Sequence, residues 1–336
     1  MVQNIKNEFL KNLSTKKKRK KFNYKNNKTL IKKKICFPFV GDSIGGSHIS
    51  SLLLINELKK NYRIKIILHE KNVLSKFLEK KGIKYEIFRL SKFPKKGPYF
   101  IKVFLFLFLN FFKLNNYLRK NNFDIIHGND LRVNLCWSFA NMNTNKFIWH
   151  QRNILNKKSL LHFFILFFSD HVIAISKTVY NCFPGFIKKK TSVVYNPFKK
   201  IRIKAHSKKI SNIAFVGKDN YQKGFDIFLK IFFELKKNTN IQFNAYCSKF
   251  LSNYDYKNFN IYSFKTIESI MSKNDLLIAP SRKEGFGRSL IEFAIQKKKV
   301  IASNIDAHRE INSKFVNIIL VKNEAKEYLK VIKKNL

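Results

Sequence analysis

Two carboxylates, two lysines and a set of glycines give this sequence its chemical potential. In Pro280-Ser281-Arg282-Lys283-Glu284-Gly285-Phe286-Gly287-Arg288-Ser289-Leu290-Ile291-Glu292, a turn of small residues follows the apolar run Asp275–Ile278 and opens a helix. Such a turn aims free backbone N–H groups and the positive end of the helix at a ligand. Gly285 and Gly287 let that backbone approach closely. Leu290, Phe293 and Ala294 share one helical face, so Glu292 is expected on the face turned away from a sheet, with Glu284 in the turn. Spacing alone fits an exposed loop acid and an exposed helix acid equally well. Upstream, Ile213–Val216 runs into Gly217-Lys218-Asp219-Asn220-Tyr221-Gln222-Lys223-Gly224, and a helix follows with the core stripe Phe225, Phe228, Leu229 and Phe232. A single lysine says little in so basic a chain. What distinguishes Lys218 and Lys223 is that both stand just beyond a strand.

The elements that must position these groups alternate short apolar runs with amphipathic stretches, the pattern of repeated βα units on parallel sheets. Strands are predicted at Ile35–Val40, Arg63–His69, Lys84–Phe88, Asp124–His127, Lys146–His150, His171–Ala174 and Ser192–Tyr195. The same pattern restarts at Ile213–Val216, Ile241–Tyr246, Asp275–Ile278, Val300–Ala302 and Asn317–Leu320. Between the halves, Asn196-Pro197-Phe198 and a basic run break the periodicity. The expected organisation is a basic tail (1–33), a Rossmann-like domain (34–197), a linker (198–210) and a second Rossmann-like domain (211–322). A final helix (323–336) is expected to pack back on the amino-terminal domain. In the first half, Ile35–Val40 leads through Gly41-Asp42-Ser43-Ile44 to Gly45-Gly46 and a helix with Ile49, Leu52, Leu53 and Leu58. His127 and His150 stand at strand ends, with Arg152 just beyond, either as hydrogen-bonding groups or as core residues.

Together these motifs resemble the retaining family 4 glycosyltransferases of the "glycosyl transferases group 1" type, over about residues 34–330. The resemblance implies a GT-B architecture, with two Rossmann-like domains facing across a cleft. It implies that Glu284 contacts hydroxyls of a donor sugar and Glu292 the nucleotide ribose. The family pattern G-R-x4-K-G neutralises the nucleotide pyrophosphate, a role that falls to Lys223 and to Lys218, which replaces the usual Arg. The family's glycine-rich loop maps to Gly45 and Gly46. Gly217, Gly285, Phe286, Gly287, Arg288 and Ser289 complete the donor side. His150 becomes a hydrogen bonder to the donor sugar or departing phosphate, and His127 and Arg152 acceptor-side groups. The implied reaction moves a sugar from a UDP- or GDP-sugar to a membrane-associated or cell-envelope glycan or lipid, with retention of configuration. No Asp-x-Asp pair stands at a strand end, so no metal and no cofactor are expected. Lys297 and Lys299 depart from the usual Gly and Pro, and Asp306-Ala307-His308-Arg309-Glu310 replaces a common Gly-Gly-x-x-E, leaving Glu310 as a loop anchor.

Composition narrows the partners. The 336 residues carry 67 Lys and Arg against 21 Asp and Glu, a formal charge of +46, yet 45% are hydrophobic. Wholesale disorder is thereby excluded. Only ten of the basic residues are Arg, the side chain suited to bidentate phosphate and base contacts. No specific nucleic-acid partner is expected, and the Lys excess, accompanied by Asn, Ile and Phe, also fits drift in an A+T-rich genome. Residues 1–34 hold 13 basic residues and one acid, with no apolar core of a signal peptide. Tyr99–Leu114 and Ser159–Ser169 are apolar nearly all round but shorter than the about 20 residues of a membrane span. They read as buried helices or as surface helices in a lipid interface; with the basic tail, Tyr99–Leu114 would meet an anionic membrane. The four cysteines are too scattered for a disulfide framework or zinc site. The expected location is the cytoplasm, peripheral on the inner face of the membrane. Two other readings stay open: a non-catalytic scaffold that binds nucleic acid or membrane through its charge, and a related epimerase or phosphorylase.

Overall fold

Parallel strands covered on both faces must be apolar throughout, which is why the runs above read as unbroken stretches of Ile, Val, Leu and Phe. The computed structural model describes residues 32–91, 99–141, 145–155, 166–198, 210–237, 239–247, 256–263 and 265–335. The chain divides into two compact units between Phe198 and Lys199. The first holds β1 (Lys34–Phe39), β2 (Arg63–Leu68), β3 (Glu86–Ile87), β4 (Ile125–Gly128), β5 (Lys146–Gln151), β6 (His171–Ala174) and β7 (Thr191–Val193). These form one parallel sheet in the order β3-β2-β1-β4-β5-β6-β7. The second holds β8 (Asn212–Gly217), β9 (Gln242–Cys247), β10 (Phe259–Ser263), β11 (Leu276–Ala279), β12 (Lys299–Ser303) and β13 (Ile318–Val321). They too are parallel, ordered β10-β9-β8-β11-β12-β13. Both orders reverse direction once, between β1 and β4 and between β8 and β11. At such a switch point the loops beyond neighbouring carboxyl ends diverge and leave room for a ligand.

Register is pinned by a repeated device. An Asp just before a strand accepts a backbone N–H from the start of the neighbouring strand: Asp124 from Lys34 (2.7 Å), Asp170 from Phe147 (2.6 Å) and Asp275 from Asn212 (2.9 Å). Each bond satisfies an amide that the parallel ladder leaves open at its edge. The core of the first unit gathers Phe37, Phe39, Ile55, Leu68 and Leu78. That of the second gathers Phe215, Phe228, Phe232, Phe243 and Ile278. Among the described residues no disulfide joins the cysteines, and Cys36, Cys136 and Cys247 are buried.

In the helix Ala325–Asn335, Tyr328 and Ile332 lie fully buried in the core of the second unit, beside the helix Phe225–Leu235. Two expectations change. Strand β10 was not predicted. The segment expected to end at Leu114 continues as one helix, Tyr99–Asn121, and its part Ile101–Asn121 has the length and apolar composition to cross a membrane. Residues 1–31 of the tail, 199–209 of the linker and 159–165 of the second apolar segment lie outside the described residues.

Candidate active site

In the second unit, both motif loops leave the sheet at its switch point, one after β8 and one after β11. Asn220 begins the first loop's turn by accepting the N–H of Lys223 on its side chain (3.0 Å). Gly224 then takes a left-handed conformation (φ 72°) and heads the helix Phe225–Leu235. A β-carbon built there would come within 1.9 Å of the Pro280 carbonyl oxygen, so only glycine lets the two loops touch. They are laced further by Arg282, whose N–H bonds the Gln222 carbonyl (2.9 Å). Its guanidinium holds both oxygens of Asp226 (2.7 and 2.8 Å) and lies 3.6 Å over the Tyr221 ring.

That lacing brings Lys223 to Glu284 across 61 residues of sequence. The ammonium donates to Glu284 Oε1 at 2.5 Å, and the Ser281 hydroxyl donates to the same oxygen at 2.8 Å. Burial opposes the charge on Glu284, but Lys223, His308 and Ser281 outweigh it and hold the carboxyl down at about 2. Glu284 is therefore an ionised acceptor at neutral pH, suited to hydroxyl groups and unsuited to general acid work. Gly287 (φ 69°) heads the helix Arg288–Ile295. Its missing side chain is walled by Glu284 and by His308, whose Nε2 stands 3.3 Å from a β-carbon built at Gly287.

His308 was missed in the sequence, where the run Asp306–Glu310 drew attention to Glu310. It is fully buried. Its Nδ1 lies 2.9 Å from the Ser303 carbonyl oxygen, which can only accept, so Nδ1 carries the proton. Nε2 is then a lone-pair acceptor, and it has no hydrogen-bond partner among the described residues. Burial lowers the imidazole, while Glu284 pulls the other way. The sequence signal was a histidine at the carboxyl side of a strand, on the helix Asp306–Asn312 that follows β12.

Glu292 is not displayed on an open face. Its side chain is 12% exposed and bonds the Nε of Arg288 at 2.8 Å, one helical turn away. Burial pushes the carboxyl up to about 7 in spite of that cation. Phe286 is buried, and Ser289 half-buried, in the first turn of the same loop and helix. Gly217 ends β8 with Lys223 Cγ 3.6 Å from its missing β-carbon. Lys218 is exposed and makes no hydrogen bond or ion pair among the described residues; the structure joins Lys223, not Lys218, to the carboxylate.

The first unit builds a pocket of its own beyond β4 and β5. A cavity of about 280 Å³ is lined by Ser47, Asn129, Asp130, Arg132, His150 and Arg152, among others. Arg152 is buried, and its guanidinium donates to Asn196 (2.7 Å), Asn129 (2.8 Å) and Ser51 (3.0 Å). It ties three segments together at the wall of the cavity. Its Nη2 also faces His150 Nδ1 at 3.4 Å. A guanidinium can only donate, so Nδ1 accepts, and Nε2–H has no hydrogen-bond partner among the described residues. Burial and Arg152 drive the imidazole well below its ordinary value, so it is neutral. His127 packs edge-on to His150 with ring centroids 5.4 Å apart and is pushed down to about 3 by burial.

Arg132, not singled out in the sequence, closes the pocket. It grips both oxygens of Asp42 (2.6 and 3.0 Å) and fastens the glycine-rich loop to the helix Leu131–Ala140. In that loop the glycine required by geometry is Gly41, at φ 104°, where a β-carbon would meet the Glu70 carbonyl oxygen at 2.5 Å. Gly45 is extended and caps the helix Gly46–Leu58, with open space where its side chain would be. Among the described residues, no three His, Cys, Asp or Glu side chains gather as a metal site would require.

Residues 198–336 match the sequence profile of the family described as Glycosyl transferases group 1. An uncharacterised glycosyltransferase of Methanocaldococcus jannaschii is 30% identical over 150 residues, 43% of this chain and 42% of that protein. The match thus spans less than half of that relative's length. Among solved structures, Anabaena HepE in complex with UDP and glucose superposes with a TM-score of 0.70 at 17% identity, covering 89% of each chain. A lipopolysaccharide outer core galactosyltransferase, WaaB, superposes with a TM-score of 0.62 at 17% identity, covering 90% of each chain. Over residues 198–336 the chain is thus similar to the group 1 glycosyl transferases, and its two parallel-sheet units have the GT-B fold.

Proposed function

We propose that the protein is a retaining glycosyltransferase that takes a sugar from a UDP- or GDP-sugar and passes it to a membrane-associated or cell-envelope glycan or lipid, without a metal ion. The observation that carries this reading is the Lys223–Glu284 pair, held at a sheet switch point by two glycine-headed helices. A nucleotide sugar needs an anionic acceptor for its hydroxyls beside cations for its diphosphate, and this pair supplies both within one hydrogen bond. The structural neighbour crystallised with UDP and glucose supports the donor class. The lipopolysaccharide-directed neighbour supports the acceptor class.

In the proposed reaction the sugar–phosphate bond breaks as negative charge grows on the departing diphosphate. Lys223, the amides that open the helix Arg288–Ile295 and exposed Lys218 stabilise that charge where it develops. Glu284, ionised, orients the sugar by accepting from its hydroxyls, with Ser281 and Lys223 fixing its position. The acceptor hydroxyl attacks on the face the diphosphate leaves, and the leaving phosphate takes its proton, so no protein nucleophile is required. His150 Nε2–H and the cavity around it would meet the donor's sugar or phosphate oxygen. Peripheral attachment to the cytoplasmic face of the membrane would bring the enzyme to a lipid-borne acceptor.

The reading is tested by incubating the purified protein with a panel of UDP- and GDP-sugars and following release of the nucleotide diphosphate. Release with at least one donor, lost in Glu284→Ala and Lys223→Ala, is expected. Release that survives both substitutions would remove the site from the reaction.

A further inference from the structure

The helix Tyr99–Asn121 is apolar on two opposite faces, and among the described residues only one of them has a partner in the fold. Val103, Phe106, Leu107, Leu114 and Leu118 are buried, and Asn110 among them bonds the Phe106 carbonyl and Ser91. Opposite lie Ile101, Phe104, Leu105, Phe108, Leu109 and Phe112, each between 51% and 69% exposed. Their spacing of three and four residues lines them up as one stripe. Rings extend the patch sideways: Phe112 touches Phe111, Phe111 touches Phe139, Phe139 touches Phe168 and Phe168 touches Phe167. Phe167 is 66% exposed, with the Lys190 ammonium over its ring. Soluble monomers seldom leave so large a contiguous apolar surface to water.

Charge decides what covers it. The helix carries Lys102, Lys113, Arg119 and Lys120 and no acid, in a chain of net charge +46. A second copy of the chain would bring another +46 to the same face, whereas an anionic bilayer satisfies both the apolar stripe and the cations beside it. We infer that this face lies in the plane of an anionic membrane, with the stripe from Ile101 to Phe112 in the lipid interface and Phe167 and Lys190 at its margin. A transmembrane arrangement is disfavoured despite the helix's length. It would pull Val103, Leu107, Leu114 and Leu118 out of the unit's core and strand Asn110 away from its hydrogen bonds. The inference rests on the stripe and the charge and not on the transfer reaction, so its failure would leave the donor site standing.

The test is flotation of the full-length protein with vesicles of phosphatidylcholine alone and with phosphatidylglycerol added, in the absence of any sugar donor. Binding is expected to the anionic vesicles. It should weaken by at least about tenfold in the triple variant Phe104→Ser, Phe108→Ser, Phe112→Ser, whose exposed positions leave the melting temperature unchanged. Single variants Phe104→Trp, Phe108→Trp and Phe112→Trp should be quenched by brominated lipid at one shared, shallow depth, against the fully buried Trp137 and Trp149. Undiminished binding by the triple variant would assign attachment to charge alone and overturn the inference. So would quenching depths that increase steadily along the helix, or a wild-type dimer that fails to float and dissociates in the triple variant.

Discussion

Glu284 and Glu292 are eight residues apart and sit at opposite ends of the electrostatic range. Glu284, at about 2, contributes stability that is present above the ordinary carboxyl value of 4.5 and is lost as pH falls toward 2. Glu292, at about 7, has the opposite sign: its contribution is full below 4.5 and is lost as pH rises through 7. Glutamine imitates the protonated form, so Glu292→Gln should gain stability relative to the native protein as pH rises from 4.5 to 8, by up to ~3 kcal/mol. Paired thermal melts at several pH values check this; a difference that stays flat across that range would contradict the buried environment. If Glu292 holds the ribose, its carboxylate form is also the better acceptor. Donor KM should then fall several-fold as pH rises through 7 and become flat in Glu292→Gln. His308 illustrates what residue types alone could not reveal. Its value as a lone-pair acceptor depends on the Ser303 carbonyl holding its proton on Nδ1, a contact that only the folded β12 loop creates.

At the scale of elements, the switch points organise everything, and their loops depend on particular glycines. Gly224→Ala would force a β-carbon against the Pro280 carbonyl in a left-handed backbone. It should cost several kcal/mol and uncouple Lys223 from Glu284, visible as a lower melting temperature together with lost donor binding. Gly45→Ala is the contrasting case. Its backbone is extended and its side-chain space is empty, so stability should change by less than about 0.5 kcal/mol, while a raised donor or acceptor KM would report a ligand passing close by. Most strands were legible because parallel strands buried on both faces cannot hide among polar residues. β10 escaped because Asn260 and Ser263 dilute its apolar content at a half-buried sheet edge. The helix Tyr99–Asn121 was read short because Asn115 and Asn116 resemble a break, yet Leu114 and Leu118, one turn apart, carry its buried face onward. The two parallel-sheet units were legible from repeated strand–turn–helix grammar, and GT-B from the resemblance of the motifs they carry; Arg132 was not, because its partner Asp42 lies 90 residues away.

For the whole molecule, a charge of +46 suggests anionic partners, but very few cations take part in the candidate site. Lys223 is paired with Glu284, Arg132 with Asp42 and Arg282 with Asp226, so these are structural or catalytic rather than a binding field. Any binding to RNA should therefore be independent of sequence and fall steeply between roughly 50 and 200 mM salt, as counterion release dictates. Filter binding with unrelated RNAs measures this, and tight binding to one sequence that resists salt would favour a nucleic-acid function instead. The most direct test of the central claim is nucleotide-diphosphate release, measured across a panel of UDP- and GDP-sugars for the native protein, Glu284→Gln and Lys223→Ala. Turnover of at least one donor by the native protein and a loss of about hundredfold or more in each variant are expected. Variants that stay within about twofold of the native rate would contradict that claim.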